Sequence, residues 1–214
     1  GLVIRNFDLD GIQINSGSDG NTIAGNYIGS LAATGNSGGV GNGGAGVNVL
    51  GANNTIGGTT VADRNLVSGN ANGVVINGAS GNQVVGNYIG TNLAGTAAIG
   101  NTFDGVRMEA GSTGNTIGGS NTNQRNIIAA SGSEGIQIDG ETSDGNTIQG
   151  NWIGVGADGT TLLGTGSDGI YIYDGADNTV VGGLGATDGN WIAGAGLIGI
   201  EIDGPSTGTL IQGN

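Results

Sequence analysis

Few residues in this chain are equipped for chemistry. Its 214 residues include no Cys and no His, and its four basic residues are all Arg. Thiolate nucleophiles, imidazole acid–base pairs and Cys/His zinc sites are therefore excluded. Carboxylates and aromatic rings remain. Asp104, Glu134 and Asp168 each stand directly before a Gly that opens the same short phrase, and the full set of equivalent positions reads Asp10, Ala45, Asn72, Asp104, Glu134, Asp168, Ile198. If those phrases stack as neighbouring strands, successive carboxylates lie about 5 Å apart. Like charges that close either raise a pKa or recruit a cation, and Ca²⁺, hard and oxygen-seeking, is the candidate metal. Glu109 and Asp139 follow the same phrases and extend the face. The three carboxylates could also act as acid, base or metal ligand in polysaccharide cleavage, with Arg107 projecting beside them. The plainer reading is a solvated acidic surface, with Asp at turns because it suits them.

A second column is apolar: Val3, Tyr27, Leu66, Tyr88, Ile127, Trp152, Trp191. Strand alternation turns these side chains away from a core, and seven apolar residues in a row on an outer face need a cover. Loops at about Ser30 to Ala45, Thr91 to Asp104 and Val155 to Asp168 could fold back as lids, since they carry Leu31, Val40, Leu93, Ile99, Leu162 and Leu163. A neighbouring chain is the second possible cover. The third is a sugar, because Tyr27, Tyr88, Trp152 and Trp191 have rings suited to stacking on glycans.

The elements that would position these residues are visible as a repeat. One phrase reads Gly-aliphatic-x-aliphatic, as in Gly11-Ile12-Gln13-Ile14, Gly105-Val106-Arg107-Met108 and Gly169-Ile170-Tyr171-Ile172. A second reads Asn-Thr-Ile or a close variant, starting at Asn21, Asn54, Asn82, Asn115, Asn146 and Asn178, with Thr209-Leu210-Ile211 in the last copy. A third reads Asn-x-aliphatic, starting at Asn26, Asn65, Asn87, Asn126, Asn151 and Asn190. Spacings between successive copies of the third phrase are 39, 22, 39, 25, 39 and 24 residues, so long and short coils alternate. Three short strands per coil and about seven coils follow. Alternation sends the two aliphatic residues of each Gly-aliphatic-x-aliphatic phrase inward, and Gly before the strand is expected to permit a bend. The recurrent Asn residues are expected to form stacked ladders at the corners.

Composition agrees with a narrow aliphatic core: 51 Gly without a collagen period, one Pro, 36% hydrophobic residues and only 4% aromatic. A net charge of −13 repels nucleic acid and anionic membranes and attracts divalent cations. No apolar run is long enough to span a membrane. Arg64 and Arg125 hold equivalent places before the Asn that opens a short coil, with Gly189 in the third copy; they read as corner residues bonded to turn carbonyls or to Asp63. The Thr column (Thr22, Thr55, Thr116, Thr147) is interrupted by Gln83 and lacks the paired lattice expected of an ice-binding face.

Gly86-Asn87-Tyr88-Ile89-Gly90-Thr91, Asn54-Thr55-Ile56-Gly57-Gly58 and Arg64-Asn65-Leu66-Val67-Ser68-Gly69-Asn70 resemble the right-handed parallel β-helix repeats of large bacterial secreted and cell-surface proteins. The resemblance implies an all-β solenoid over residues 1–214 and an exported rod or adhesive module. Enzymes on this fold place carboxylates on adjacent coils, but no lyase or epimerase motif is present, and Asp104, Glu134 and Asp168 sit at repeat positions. The expectations are thus a structural or adhesive extracellular rod needing no cofactor, with a carbohydrate-binding module and a polysaccharide lyase or hydrolase as alternatives. Neither terminal phrase reads as a cap, so partners are expected at the ends: a continuing chain or a second copy stacked end to end.

Overall fold

The structure is a computed structural model and describes residues 1–30 and 41–214. The chain winds as an all-β parallel solenoid of three sheets, each with seven strands among the described residues. Each coil gives one strand to each sheet in the same order, as in Leu66–Ser68, Asn72–Asn77 and Gln83–Val85. Seven rungs are joined by six rises, so the expected seven coils make about six turns.

The three phrases are the three sheets. Val3, Tyr27, Leu66, Tyr88, Ile127, Trp152 and Trp191 stack in one register along the first sheet. The Gly-led phrase builds the second, where Val106 pairs with Val74 on one side and Ile136 on the other. The third sheet departs from the sequence alignment at one place. Val180 pairs with Thr147 and Val181 with Ile148, so Thr179, not Asn178, takes the Asn position. Asn178 instead occupies the turn with φ of 56°, a left-handed conformation that Asn tolerates better than most residues.

Inward positions form one aliphatic column per sheet position. Ile28, Val67, Ile89, Ile128 and Ile153 come from the first sheet, Val74, Ile76, Val106, Met108, Ile136 and Ile138 from the second, and Ile56, Val84, Ile117, Ile148 and Val181 from the third, all buried. No strand here is long enough to be stable alone; burial against the coils above and below supplies the stability. The Gly before each second-sheet strand serves space, not the bend expected of it. None of Gly46, Gly73, Gly105, Gly135 and Gly169 has positive φ. A Cβ on Gly46 would lie 2.4 Å from Val67 Cγ1, and one on Gly105 would lie 2.5 Å from Ile128 Cγ2. The inward methyl of the next coil fills the place of the missing side chain.

The corner Asn ladder forms as expected. The backbone N–H groups of Asn26, Asn65, Asn87, Asn126, Asn151 and Asn190 donate to the side-chain Oδ1 of the next Asn in the column, at 2.9, 3.2, 2.9, 3.4, 3.0 and 3.0 Å. The Nδ2 groups return hydrogen bonds to third-sheet carbonyls, for example Asn87 to Ile56 O at 2.8 Å and Asn126 to Val84 O at 2.7 Å. Asn65, Asn87, Asn126 and Asn151 are fully buried. A second ladder joins Asn21, Asn54, Asn82, Asn115 and Asn146. It stops where Thr179 and then Thr209 enter the column, and both hydroxyls lack a partner.

Asn87→Ala takes the acceptor from the Asn65 N–H and removes the amide's own bonds to Ile56 O and Val85 O, and is expected to destabilise the fold by roughly 2–4 kcal/mol. Asn87→Asp, which keeps the shape but sets a carboxylate oxygen against Ile56 O, is expected to cost at least as much. Urea unfolding checks both; an Asp variant as stable as wild type would remove the hydrogen-bond role.

Candidate functional site

The acidic column sits at the entry to the second sheet, and four of its side chains bond to backbone. Asp10 Oδ1 accepts the N–H of Ala45 at 2.7 Å, Asn72 Oδ1 that of Asp104 at 3.1 Å, Asp104 Oδ1 that of Glu134 at 3.3 Å, and Asp168 Oδ1 that of Ile198 at 2.9 Å. Asp104 and Asp168 are 2% and 3% exposed, so the solvated-surface reading does not describe them. The column is a partial corner ladder in which Asp10, Asn72, Asp104 and Asp168 supply the acceptor oxygens, with Ala45, Glu134 and Ile198 in the other places. Similar bonds from Asp19, Asp144 and Asp177 to the N–H groups of Ala52, Asp177 and Thr207 stitch another corner. The sequence carried a signal for this: Asn72 fills the same column as Asp104, and a shared position for Asn and Asp points to an acceptor oxygen.

Arg107 gathers the remaining charge. Its guanidinium lies 2.7 Å from Glu109, 3.1 Å from Asp139 and 3.8 Å from Asp104. Burial alone would lower its pKa, but Glu109, Asp104 and Asp139 together raise it. Asn77 Nδ2 donates to Glu109 at 3.0 Å. Tyr173 stacks on Tyr171 with centroids 4.7 Å apart, and burial followed by its hydrogen bond to Asp139 pushes its phenol up to about 12. The Asp104 carboxyl is pushed up to about 7 by burial first, then by the hydrogen bond and charge of Glu134. Among the described residues, no three acidic groups come together in a way that could hold a metal ion. Asp104, Glu134 and Asp168 follow one another along the axis without converging.

The apolar column is covered by loops in its interior and open at its ends. Leu66 and Ile127 are each 3% exposed, whereas Val3 and Trp191 on the first and last rungs are 53% and 47% exposed. Tyr27, Tyr88 and Trp152 lie between. The loops after Tyr88 and Trp152 turn back on themselves through the antiparallel bridges Thr91–Ala98 and Val155–Leu162. They meet across the short coil between them, where Ala157 N–H donates to Gly95 O at 2.8 Å. Ile99 and Leu163 are partly buried, while Leu93 and Leu162 are exposed. Leu31 and Val40 lie outside the described residues.

One arrangement on this face was not legible beforehand. Arg64 lies over the Tyr88 ring at 3.9 Å and Arg125 over the Trp152 ring at 4.2 Å. Each Nε donates to a turn carbonyl of the next coil, Gly86 O at 3.3 Å and Gly150 O at 3.2 Å. The expected turn-carbonyl partner is the one used, and Asp63 instead bonds to Thr60. Lid glycines press on the same rings: a Cβ on Gly95 would lie 2.8 Å from Tyr88 Cε2, and one on Gly159 would lie 3.0 Å from Trp152 Cη2. Trp191 meets Trp152 edge-on at 5.3 Å and keeps the largest free ring surface of the four aromatic residues in the column.

Two outcomes follow for the acidic column. The folded chain holds the Asp104 proton where the unfolded chain has released it, so stability falls as pH rises from about 4 to about 7 and then levels. Asp104→Asn keeps the acceptor for Glu134 N–H, as Asn72 does one coil earlier. It is expected to stabilise the fold by roughly 1–3 kcal/mol at pH 8 and by almost nothing at pH 4; equal effects at both pH values in denaturant melts would contradict this. Millimolar Ca²⁺ is expected to leave the melting temperature unchanged, because Asp104 and Asp168 bond to backbone and the three carboxylates do not converge.

No protein-family model matches the chain, and no curated protein or solved structure matches it either.

Proposed function

We propose that the chain is a structural and adhesive rod segment, carried outside the cell or on a bacterial cell surface. One observation carries this reading: the columns with chemically capable side chains are taken up by the scaffold. The carboxylates of Asp10, Asp104 and Asp168 cap backbone N–H groups of the following coil, and Arg107 is surrounded by carboxylates. Catalysis has no part in the proposal, and no cofactor is needed. Extracellular placement draws support from the repeat resemblance, and a composition without Cys or Lys is compatible with it. No helix among the described residues is long and apolar enough to cross a membrane.

The partner proposed for each end is another coil, from a continuing chain or a second copy. Val3, Trp191, Ile202, Leu210 and Ile211 are each more than two-fifths exposed on the terminal rungs. A cavity of about 540 Å³ opens there between Trp191, Ile192, Ile200 and Asn214. A carbohydrate-binding role, the second reading, rests on Trp191, because the rings of Tyr88 and Trp152 are held by Arg64, Arg125 and the lids.

Sedimentation velocity on the isolated segment over a wide concentration range is expected to show association, and electron microscopy is expected to show growth along one axis. A single monomeric species at every concentration would contradict the end-to-end proposal. Antibodies raised against the segment are expected to label intact, unpermeabilised source cells; labelling only after lysis would contradict the surface placement.

A further inference from the structure

Arg64 and Arg125 stand in one corner column two coils apart, a separation of about 10 Å. Both line a cavity of about 150 Å³ with Thr122, Tyr88, Trp152 and Ile127. We propose that this pocket binds a sulfate-type oxyanion, either the free ion or the sulfate group of an acidic sugar. The inference goes beyond the rod reading and does not depend on what covers the ends.

The argument begins with partners. A half-buried guanidinium normally has a carboxylate beside it, since a buried charge without a counter-charge is costly. This chain has 17 acidic residues to supply one, and Arg107 takes three. Among the described residues, neither Arg64 nor Arg125 forms an ion pair, and no acidic residue lines the pocket. Two carboxylates next to this site in the chain are engaged: Asp63, adjacent to Arg64, with Thr60 N and Oγ1 at 3.1 and 2.7 Å, and Asp158, adjacent to the lining residue Ala157, with the N–H groups of Thr160 and Thr161 at 3.0 and 2.9 Å.

Both guanidiniums are also preorganised. The Nε–carbonyl bond and the ring beneath fix each group, leaving the terminal NH₂ groups to receive oxygen acceptors in fork geometry. Arg is the residue suited to this because its donors lie in a rigid plane that also stacks on aromatic faces. Ordering costs on binding are correspondingly small. Thr122 also lines the pocket, and its hydroxyl is a group able to donate. The net charge of −13 opposes any anion at long range, so binding is expected to be modest and to weaken with salt.

The chain has two Trp residues, so Trp191→Phe leaves Trp152, stacked under Arg125, as the sole indole reporter. In that background, sodium sulfate is titrated at constant ionic strength against chloride while indole emission is followed. A saturable change is expected, weakened by about tenfold in Arg64→Gln and in Arg125→Gln through loss of charge-assisted hydrogen bonds, and unaltered in Arg5→Gln, whose side chain is exposed elsewhere. Equilibrium dialysis of labelled sulfate with wild-type protein gives a reading independent of any variant's folding. No saturable binding by either method, or equal binding by all three Arg variants, overturns the proposal. A sulfated oligosaccharide binding more tightly than inorganic sulfate assigns the anion to a glycan; equal or weaker binding assigns it to the free ion.

Discussion

A buried amide that accepts the N–H of the preceding coil and returns its own NH₂ to a carbonyl is the interaction on which this molecule depends. Each corner interrupts the strand ladder, and buried corners leave backbone groups that water cannot reach. The Asn26-to-Asn214 column repairs the loss at one corner of every coil. With the corners satisfied, a handful of aliphatic side chains per coil is enough of a core. A chain so poor in aromatic residues and so rich in Gly can then hold a regular fold without a wide interior.

The same constraint explains why acidic residues sit where they look catalytic. A carboxylate oxygen can accept the next coil's N–H as an amide oxygen does, so Asp enters Asn positions at little geometric cost. The electrostatic cost differs from site to site. The carboxyl of Asp104, buried next to Glu134, is pushed up to about 7, which makes its contribution pH-dependent in a way an Asn would not be. Where neither residue is present, as at Thr179 and Thr209, the ladder ends and hydroxyls are left without partners.

Much of the fold was legible because period and alternation are one-dimensional. Spacing located three strands per coil, and alternation separated inward from outward residues, since both follow from strand geometry alone. What depends on contacts between coils was harder to read. The Gly before each second-sheet strand looked like a hinge, yet it makes room for a methyl group from the next coil. Asn178 matched the repeat by type but lies one residue out of register, because Val180 and Val181 better serve the third sheet. Exposure of the acidic column was misjudged for the same reason: Asp104 and Asp168 read as surface charge until their hydrogen bonds to the next coil are seen. The seating of Arg64 and Arg125 on rings one coil away carries no local signal, although their recurrence marked them as part of the corner.

Native-state hydrogen exchange, resolved by NMR, tests the central claim most directly. The backbone amides of Asn65, Asn87, Asn126 and Asn151 should exchange only on global unfolding, as slowly as the strand amides of Val74 and Ile136. If they exchange as fast as amides of exposed turns, the corner ladder does not hold the coils together, and the account built on it fails.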